Sequence, residues 1–155
     1  MRRILGILAL FVPLALPAGA SALVQVDKGI AGARLGNTKA QVRAALGRPA
    51  SIQSGTNDFG PFTTYRYRGG ITVGFQGRTE VTSVSTTGRG DRTARGVGVG
   101  SRESTVRRRV RGVRCETVAG TRSCHTHRFR IGEVVTAFLI RHGRVTRVTV
   151  GRVID

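Results

Sequence analysis

Residues 32–46 read GARLGNTKAQVRAAL, and residues 96–110 read GVGVGSRESTVRRRV. The two stretches lie 64 residues apart, and at that offset glycines match glycines and apolar residues match apolar residues. The match continues without a gap over about fifty residues. Its apolar and aromatic pairs include Val42 with Val106, Tyr65 with Phe129, Phe75 with Leu139, and Val84 with Val148. Because self-similarity at a fixed period indicates repeated structural units, we predict two tandem copies of one unit.

Each copy is predicted to begin with a short amphipathic helix, for which Asn37 and Ser101 are suitable N-caps. Gly47, with Pro49 two residues later, is predicted to end the first helix. Strands follow, since apolar residues alternate over residues 63–68 and 71–75 and again over 135–139. In the last strand of each copy two valines have opposite parity, which a β-bulge would explain. The predicted fold class is therefore α+β, with two tandem repeats, each a short N-terminal helix packed on a three- to four-stranded antiparallel sheet.

Composition and spacing divide the chain into five predicted segments. A Gly- and Arg-rich stretch separates the two copies, and a short stretch precedes the first copy. The segments are a signal peptide at 1–22, an N-terminal extension at 23–31, repeat 1 at 32–88, a linker at 89–95 and repeat 2 at 96–155.

The first segment has the three-part order of a secretory signal peptide. Arg2 and Arg3 precede an apolar run over residues 4–16, and small residues follow at 18–22. The alternative is a transmembrane anchor, but the run is shorter than the ~20 residues that a spanning helix needs. We therefore expect a secreted, cell-surface or periplasmic protein that starts near Ser21 or Leu23 and has no membrane span after cleavage.

The two cysteines of the chain are predicted to form a disulfide. A hairpin with a two-residue turn at residues 119–120 places Cys115 opposite Cys124, and exported proteins favour disulfides. The alternative is a metal site formed by Cys124, His125 and His127. Strand alternation argues against it, since the two histidines share one face and Cys124 points to the other. No metal site is therefore predicted.

The charge of the chain is strongly positive. The formal net charge is +18, with 26 Lys plus Arg residues against 8 acidic residues. Arg108, Arg109 and Arg111 are expected on the outward side of the second helix, as a candidate anion-binding surface. The competing interpretation is that these arginines form an ordinary solvated face. An exported protein seldom meets nucleic acid, so no nucleic-acid partner is expected.

Chemistry-bearing motifs are few in this sequence. The acidic residues are scattered without the spacing of a general acid–base pair, and no nucleophile elbow or phosphate-binding loop is present. We therefore predict no catalytic residues, no cofactor and no enzymatic activity.

A candidate partner-binding surface lies in repeat 1. Asp58 and Phe59 fall in a loop rich in turn formers, which corresponds to the disulfide-linked hairpin of repeat 2. Tyr65 and Tyr67 share one face of the following strand, and aromatic side chains at such places often anchor interfaces. The alternative is that Phe59 folds back onto the repeat and that the two tyrosines pack under the helix.

Several short motifs carry a resemblance to known proteins. Leu35-Gly36-Asn37-Thr38 and Leu46-Gly47-Arg48-Pro49, with Tyr65-Arg66-Tyr67 and Val73-Gly74-Phe75 downstream, resemble the SmpA/OmlA (BamE-like) lipoproteins and the secreted β-lactamase inhibitor proteins. The resemblance implies tandem helix-then-sheet units. The chain lacks the acylated Cys of the lipoproteins, and only its second copy has a cysteine pair.

Compartment, repeats and resemblance together predict a function. The expected function is an exported non-catalytic binding module that recognises another envelope or extracellular protein, in the manner of an inhibitor or an assembly factor. The alternative is an electrostatic binder of an anionic cell-surface polymer.

Overall fold

The structure is a computed structural model that describes residues 23–77 and 79–154. The predicted signal peptide at 1–22 lies outside the described residues, so its cleavage point stays a prediction. Among the residues described, no helix has both the length and the apolar character needed to cross a membrane.

Strands make up most of the regular structure in the described part of the chain. The N-terminal strands are β1 (Leu23–Gln25), β2 (Gly29–Ile30) and β3 (Ala33–Arg34), followed by helix α1 (Lys39–Leu46). Next come β4 (Ser51–Asn57), β5 (Gly60–Arg66), β6 (Ile71–Gln76), β7 (Val81–Thr86) and β8 (Arg92–Thr93). Helix α2 (Glu103–Arg109) precedes β9 (Arg114–Val118), β10 (Thr121–His125), β11 (Val134–Arg141) and β12 (Arg144–Arg152).

The predicted α+β class, with two tandem repeats that each pack a short helix on a three- to four-stranded antiparallel sheet, is wrong. The strands form one eight-stranded sheet, in the order β4-β5-β6-β7-β12-β11-β10-β9, and one four-stranded sheet, in the order β3-β2-β1-β8. The two halves of the chain merge because β7 and β12 pair directly, with Val84 opposite Val150. Pairing these strands satisfies backbone groups that two separate sheets would leave open at their edges.

Three strands of the four-stranded sheet come from the segments predicted as an extension and a linker, and the fourth, β3, comes from the start of repeat 1. Residues 23–31 contain β1 and β2, and residues 89–95 contain β8. Strand β1 pairs parallel with β8, with Val24 opposite Thr93. Both segments therefore contribute to the folded body.

The N-cap of each helix lies one residue later than predicted. Thr38 caps α1, since its side chain accepts a hydrogen bond from the Gln41 N–H while the Gln41 side chain accepts one from the Thr38 N–H. Asn37 instead accepts a hydrogen bond from the Arg34 N–H. Helix α2 begins after Arg102, which makes no side-chain cap. The prediction that Gly47 ends α1 is confirmed.

The structure contains a β-bulge in each last strand where the parity of the valines changes. The register between β6 and β7 shifts after Gly74, and the register between β11 and β12 shifts after Leu139. The extra residues are Thr82 and Thr146, and each hydroxyl donates a hydrogen bond to the carbonyl of the residue at the shift. The bulges bring both valines of each strand to the buried face.

Both helices lie on one face of the eight-stranded sheet. Val42 of α1 and Val106 of α2 belong to a single buried cluster with Val73, Val84 and Phe138 of the sheet. Residues of the four-stranded sheet join the same cluster. Side chains alternate along a strand, so the neighbours of these sheet residues point to the opposite face, which carries no helix in the described part of the chain.

Candidate functional site

The predicted disulfide between Cys115 and Cys124 is confirmed. The two residues lie opposite each other in the β9–β10 ladder, with their Cα atoms 3.9 Å apart. Cys124 is buried against the core, whereas β9 is largely exposed at the edge of the sheet. The bond therefore ties an edge strand to the body of the sheet.

The residues weighed as a metal site have other partners. Glu103 lies near both cysteines, but their sulfur atoms are joined in the disulfide and offer no thiolate. His125 Nε2 lies 2.8 Å from Glu116 Oε1, and His127 Nε2 lies 3.0 Å from Asp27 Oδ2. The two histidines thus contact different carboxylates.

Glu103 connects the start of α2 to the sheet. Its carboxylate accepts hydrogen bonds from Arg122 of β10, at 2.6 and 3.2 Å, and from Arg107 one helical turn later. The hydrogen bonds from Arg122 lower the pKa of Glu103 from its ordinary value of 4.5 to about 2, and Arg107 adds to this effect.

The ion pairs of Glu103 with Arg122 and Arg107 are expected to make a pH-dependent contribution to stability. A carboxyl group with a lowered pKa stabilises the fold above its unfolded pKa of 4.5, and the contribution is lost as the pH falls towards 2. Replacing Glu103 with Gln should lower the free energy of unfolding by about 1 kcal/mol at pH 7, since the pair is partly exposed to solvent. Urea unfolding at pH 7 and at pH 2.5 measures the difference, which should shrink at the lower pH. An equal difference at both pH values would contradict this assignment.

The candidate partner-binding residues divide into an exposed and a buried group. Asp58 and Phe59 form the turn between β4 and β5. Both are exposed, and the exposed fraction of Phe59 is 54%. Tyr65 retains only 2%, packs edge-on against Phe75 at 4.9 Å, and accepts a hydrogen bond from Arg43. Tyr67 is half-buried, and burial raises the pKa of its hydroxyl. Tyr65 therefore belongs to the core, and the accessible part of the surface is the turn.

Strand β4 is an exposed edge of the eight-stranded sheet. All seven of its residues are exposed, and its sequence SIQSGTN carries no charge and no proline. The opposite edge, β9, carries Arg114 and Glu116 and is held by the disulfide. Charges and prolines are the usual means of blocking an edge, so β4 is the less protected of the two.

The middle of the helix-free face, from β6 to β12, is lined by small side chains. One row of paired residues crosses the middle of this face from β6 to β11, and a second row lies beside it. The rows are Thr72, Ser85, Thr149 and Ala137, then Gly74, Ser83, Gly151 and the buried Val135. The middle strands of this face therefore carry mostly short side chains.

The three predicted anion-binding arginines are all exposed. Arg109 and Arg111 line a groove of about 630 Å³, whereas Arg108 lies outside it. Arg95, from the segment between β8 and α2, lines the same groove. Nothing in the local sequence pattern of Arg95 predicts its place beside the end of α2.

The floor of the groove is mainly apolar. Leu23, Val24 and Val26 come from the N-terminal segment, and Val110 follows the end of α2. Asp27 and His127, which contact each other, also line the groove. Sequence reasoning missed this site, because its walls come from segments that are far apart along the chain.

The comparisons with known proteins identify similar folds. No family model and no curated protein matches the chain. An extracellular protein containing an SCP domain, from Bacillus anthracis, is similar with 9% identity and a TM-score of 0.54, over 93% of this chain and 50% of that one. This chain thus spans about half the length of that protein. The uncharacterized protein yfeY from Escherichia coli is similar with 12% identity and a TM-score of 0.52, over 82% of this chain and 95% of that one.

A third similar structure, a DUF4309 family protein (YjgB) from Bacillus subtilis, has 20% identity and a TM-score of 0.43, over 74% of this chain and 78% of that one. None of these three structures is described as a BamE-like lipoprotein or a β-lactamase inhibitor protein, so that resemblance stays a prediction.

Proposed function

We propose that this chain is an exported binding module, without catalytic activity, that recognises another extracellular or envelope protein. The observation that carries the proposal is the β4–β5 hairpin, which presents a fully exposed uncharged edge strand and an exposed aromatic ring at its tip. An exposed strand edge can pair with an extended segment of a partner, and an aromatic ring can anchor the contact.

The compartment is supported by three observations. The N-terminal segment has the order of a signal peptide, and a disulfide is a bond of oxidising compartments. The similar protein from Bacillus anthracis is described as extracellular. A partner of this chain would therefore be found outside the cytoplasm.

The hairpin makes a specific prediction about affinity. Replacing Phe59 with Ala should weaken partner binding by about 1–3 kcal/mol, because the exposed ring would be buried at the contact. The melting temperature should change little, since the ring contributes little to the core. The partner can be captured with a photo-reactive amino acid in place of Phe59 in the secreted protein, and Kd then measured with the purified partner.

Val118 provides the matched control for this experiment. It is an apolar residue that keeps 62% of its surface beside the turn of the other edge hairpin. Val118→Ala should leave Kd unchanged, and a photo-reactive group there should capture less of the same partner. Equal capture from both positions, or an unchanged Kd for Phe59→Ala, would refute the role of the β4–β5 hairpin.

The second candidate function is electrostatic binding of an anionic cell-surface polymer. It is favoured by the exposure of Arg108, Arg109 and Arg111 on a chain with a net charge of +18. A salt titration distinguishes the two functions. The affinity for a polymer should fall steeply as ionic strength rises, whereas a packed protein interface should respond weakly.

A further inference from the structure

The groove at the end of α2 combines an apolar floor with a cationic rim. Leu23, Val24, Val26 and Val110 supply the apolar surface. Its volume of about 630 Å³ falls within the range of roughly 300–1,000 Å³ that is usual for small-molecule sites. Such a site can accommodate the apolar body of a small ligand.

Three guanidinium groups border this floor. Arg95 donates a hydrogen bond to the Arg109 carbonyl at 3.4 Å, and Arg109 donates one to the Arg95 carbonyl at 3.2 Å. This reciprocal contact holds the two side chains at the rim. Across residues 23–77 and 79–154, neither these two nor Arg111 has a carboxylate within ion-pair distance. The rim therefore carries positive charge that an anionic ligand could neutralise.

Among the described residues, the groove has one carboxylate, Asp27, and it is already engaged. Asp27 Oδ1 accepts hydrogen bonds from the hydroxyls of Thr126 and Thr136, at 2.7 and 2.8 Å, and Oδ2 lies 3.0 Å from His127 Nε2. These contacts hold the Asp27 carboxylate against the β10–β11 loop. The groove is therefore lined by three arginines and by one carboxylate that already has partners.

We propose that this groove binds a long-chain alkyl carboxylate, with the alkyl chain on the apolar floor and the carboxylate at the arginine rim. A planar guanidinium matches a carboxylate in geometry and charge. The apolar floor favours an alkyl chain over a hydrophilic polymer, which would lose its hydrogen bonds with water there. This inference is independent of the proposed protein partner, because it uses a different face of the molecule.

The test is a calorimetric titration of the purified secreted protein with dodecanoate, below its micelle concentration. Saturable binding of dodecanoate is expected. Dodecyltrimethylammonium has the same chain with the opposite charge, and acetate has the charge without the chain. Both should bind at least about tenfold more weakly, since each lacks one of the two contacts. Equal binding of the cationic analogue, or no saturable binding of dodecanoate, would overturn the proposal.

Neighbouring arginines provide matched variants for the same titration. Arg111→Gln removes a charge of the groove whose side chain, within the described residues, donates no hydrogen bond, so the fold should be retained. It should raise the Kd of dodecanoate about tenfold. Arg108→Gln removes a charge outside the groove and should change Kd less than about twofold. A melting curve for each variant verifies folding, and equal effects of the two substitutions would exclude the groove as the site.

Discussion

Replacing Phe138 with Ala is expected to lower the free energy of unfolding by about 3–5 kcal/mol, the largest effect of any single substitution considered for this protein. Phe138 lies on β11 and is fully buried, with Cys124 and Val148 opposite it on the two neighbouring strands. Removing its ring leaves a cavity in the buried cluster on the helix-covered face of the sheet. Urea or thermal unfolding followed by circular dichroism measures the loss.

Phe129 is the control for this substitution. It is the same residue type, but its ring keeps 53% of its surface and contacts His125 at the edge of the fold. Phe129→Ala should therefore cost less than about 1 kcal/mol. If the two alanine variants lost the same stability, the buried cluster described for the sheet would be wrong.

Replacing both Cys115 and Cys124 with Ala is expected to lower the free energy of unfolding by about 2–3 kcal/mol. The disulfide spans nine positions of the chain, and closing a short loop restricts the unfolded state by this amount in the loop-entropy description. Such a loss is a large fraction of the 5–15 kcal/mol that is typical of a folded domain. Reduction of the wild-type protein should give a loss of similar size.

The destabilisation caused by removing the disulfide should be confined to one edge of the sheet. Hydrogen exchange should accelerate most in β9 and β10, because β9 pairs with a single strand and has little buried surface of its own. The hairpin of β4 and β5, at the far edge of the same sheet, should keep its exchange rates. Equal acceleration at both edges would show that the bond stabilises the whole sheet rather than one edge of it.

Some features of this protein follow from its sequence alone. Side chains alternate strictly along a strand, so the change of parity between Val81 and Val84, and between Val145 and Val148, indicated the two bulges. A two-residue turn sets the register of a hairpin, so the turn at residues 119–120 indicated that Cys115 faces Cys124. Both inferences needed only contacts between residues that are close along the chain.

Local patterns were less decisive for the exposed surface. The turn residues of the β4–β5 hairpin predicted a loop at Phe59 but left its exposure open. The alternation that grouped Tyr65 with Tyr67 could not decide which face of the strand is buried. The structure places Tyr65 against Phe75, beneath α1. A strand has two faces, and only the position of the helices determines which of them is covered.

The tertiary structure decided how the strands associate. The pairing of β7 with β12 merges the two halves into one sheet, and the pairing of β1 with β8 brings the N-terminal segment to the end of α2, where it forms the groove with Arg95 and Arg109. Side-chain periodicity identifies a strand and its two faces. It does not identify the neighbour, because the backbone groups that join strands are the same in every residue except proline. The choice among possible neighbours therefore depends on which arrangement buries the apolar faces of all the elements together.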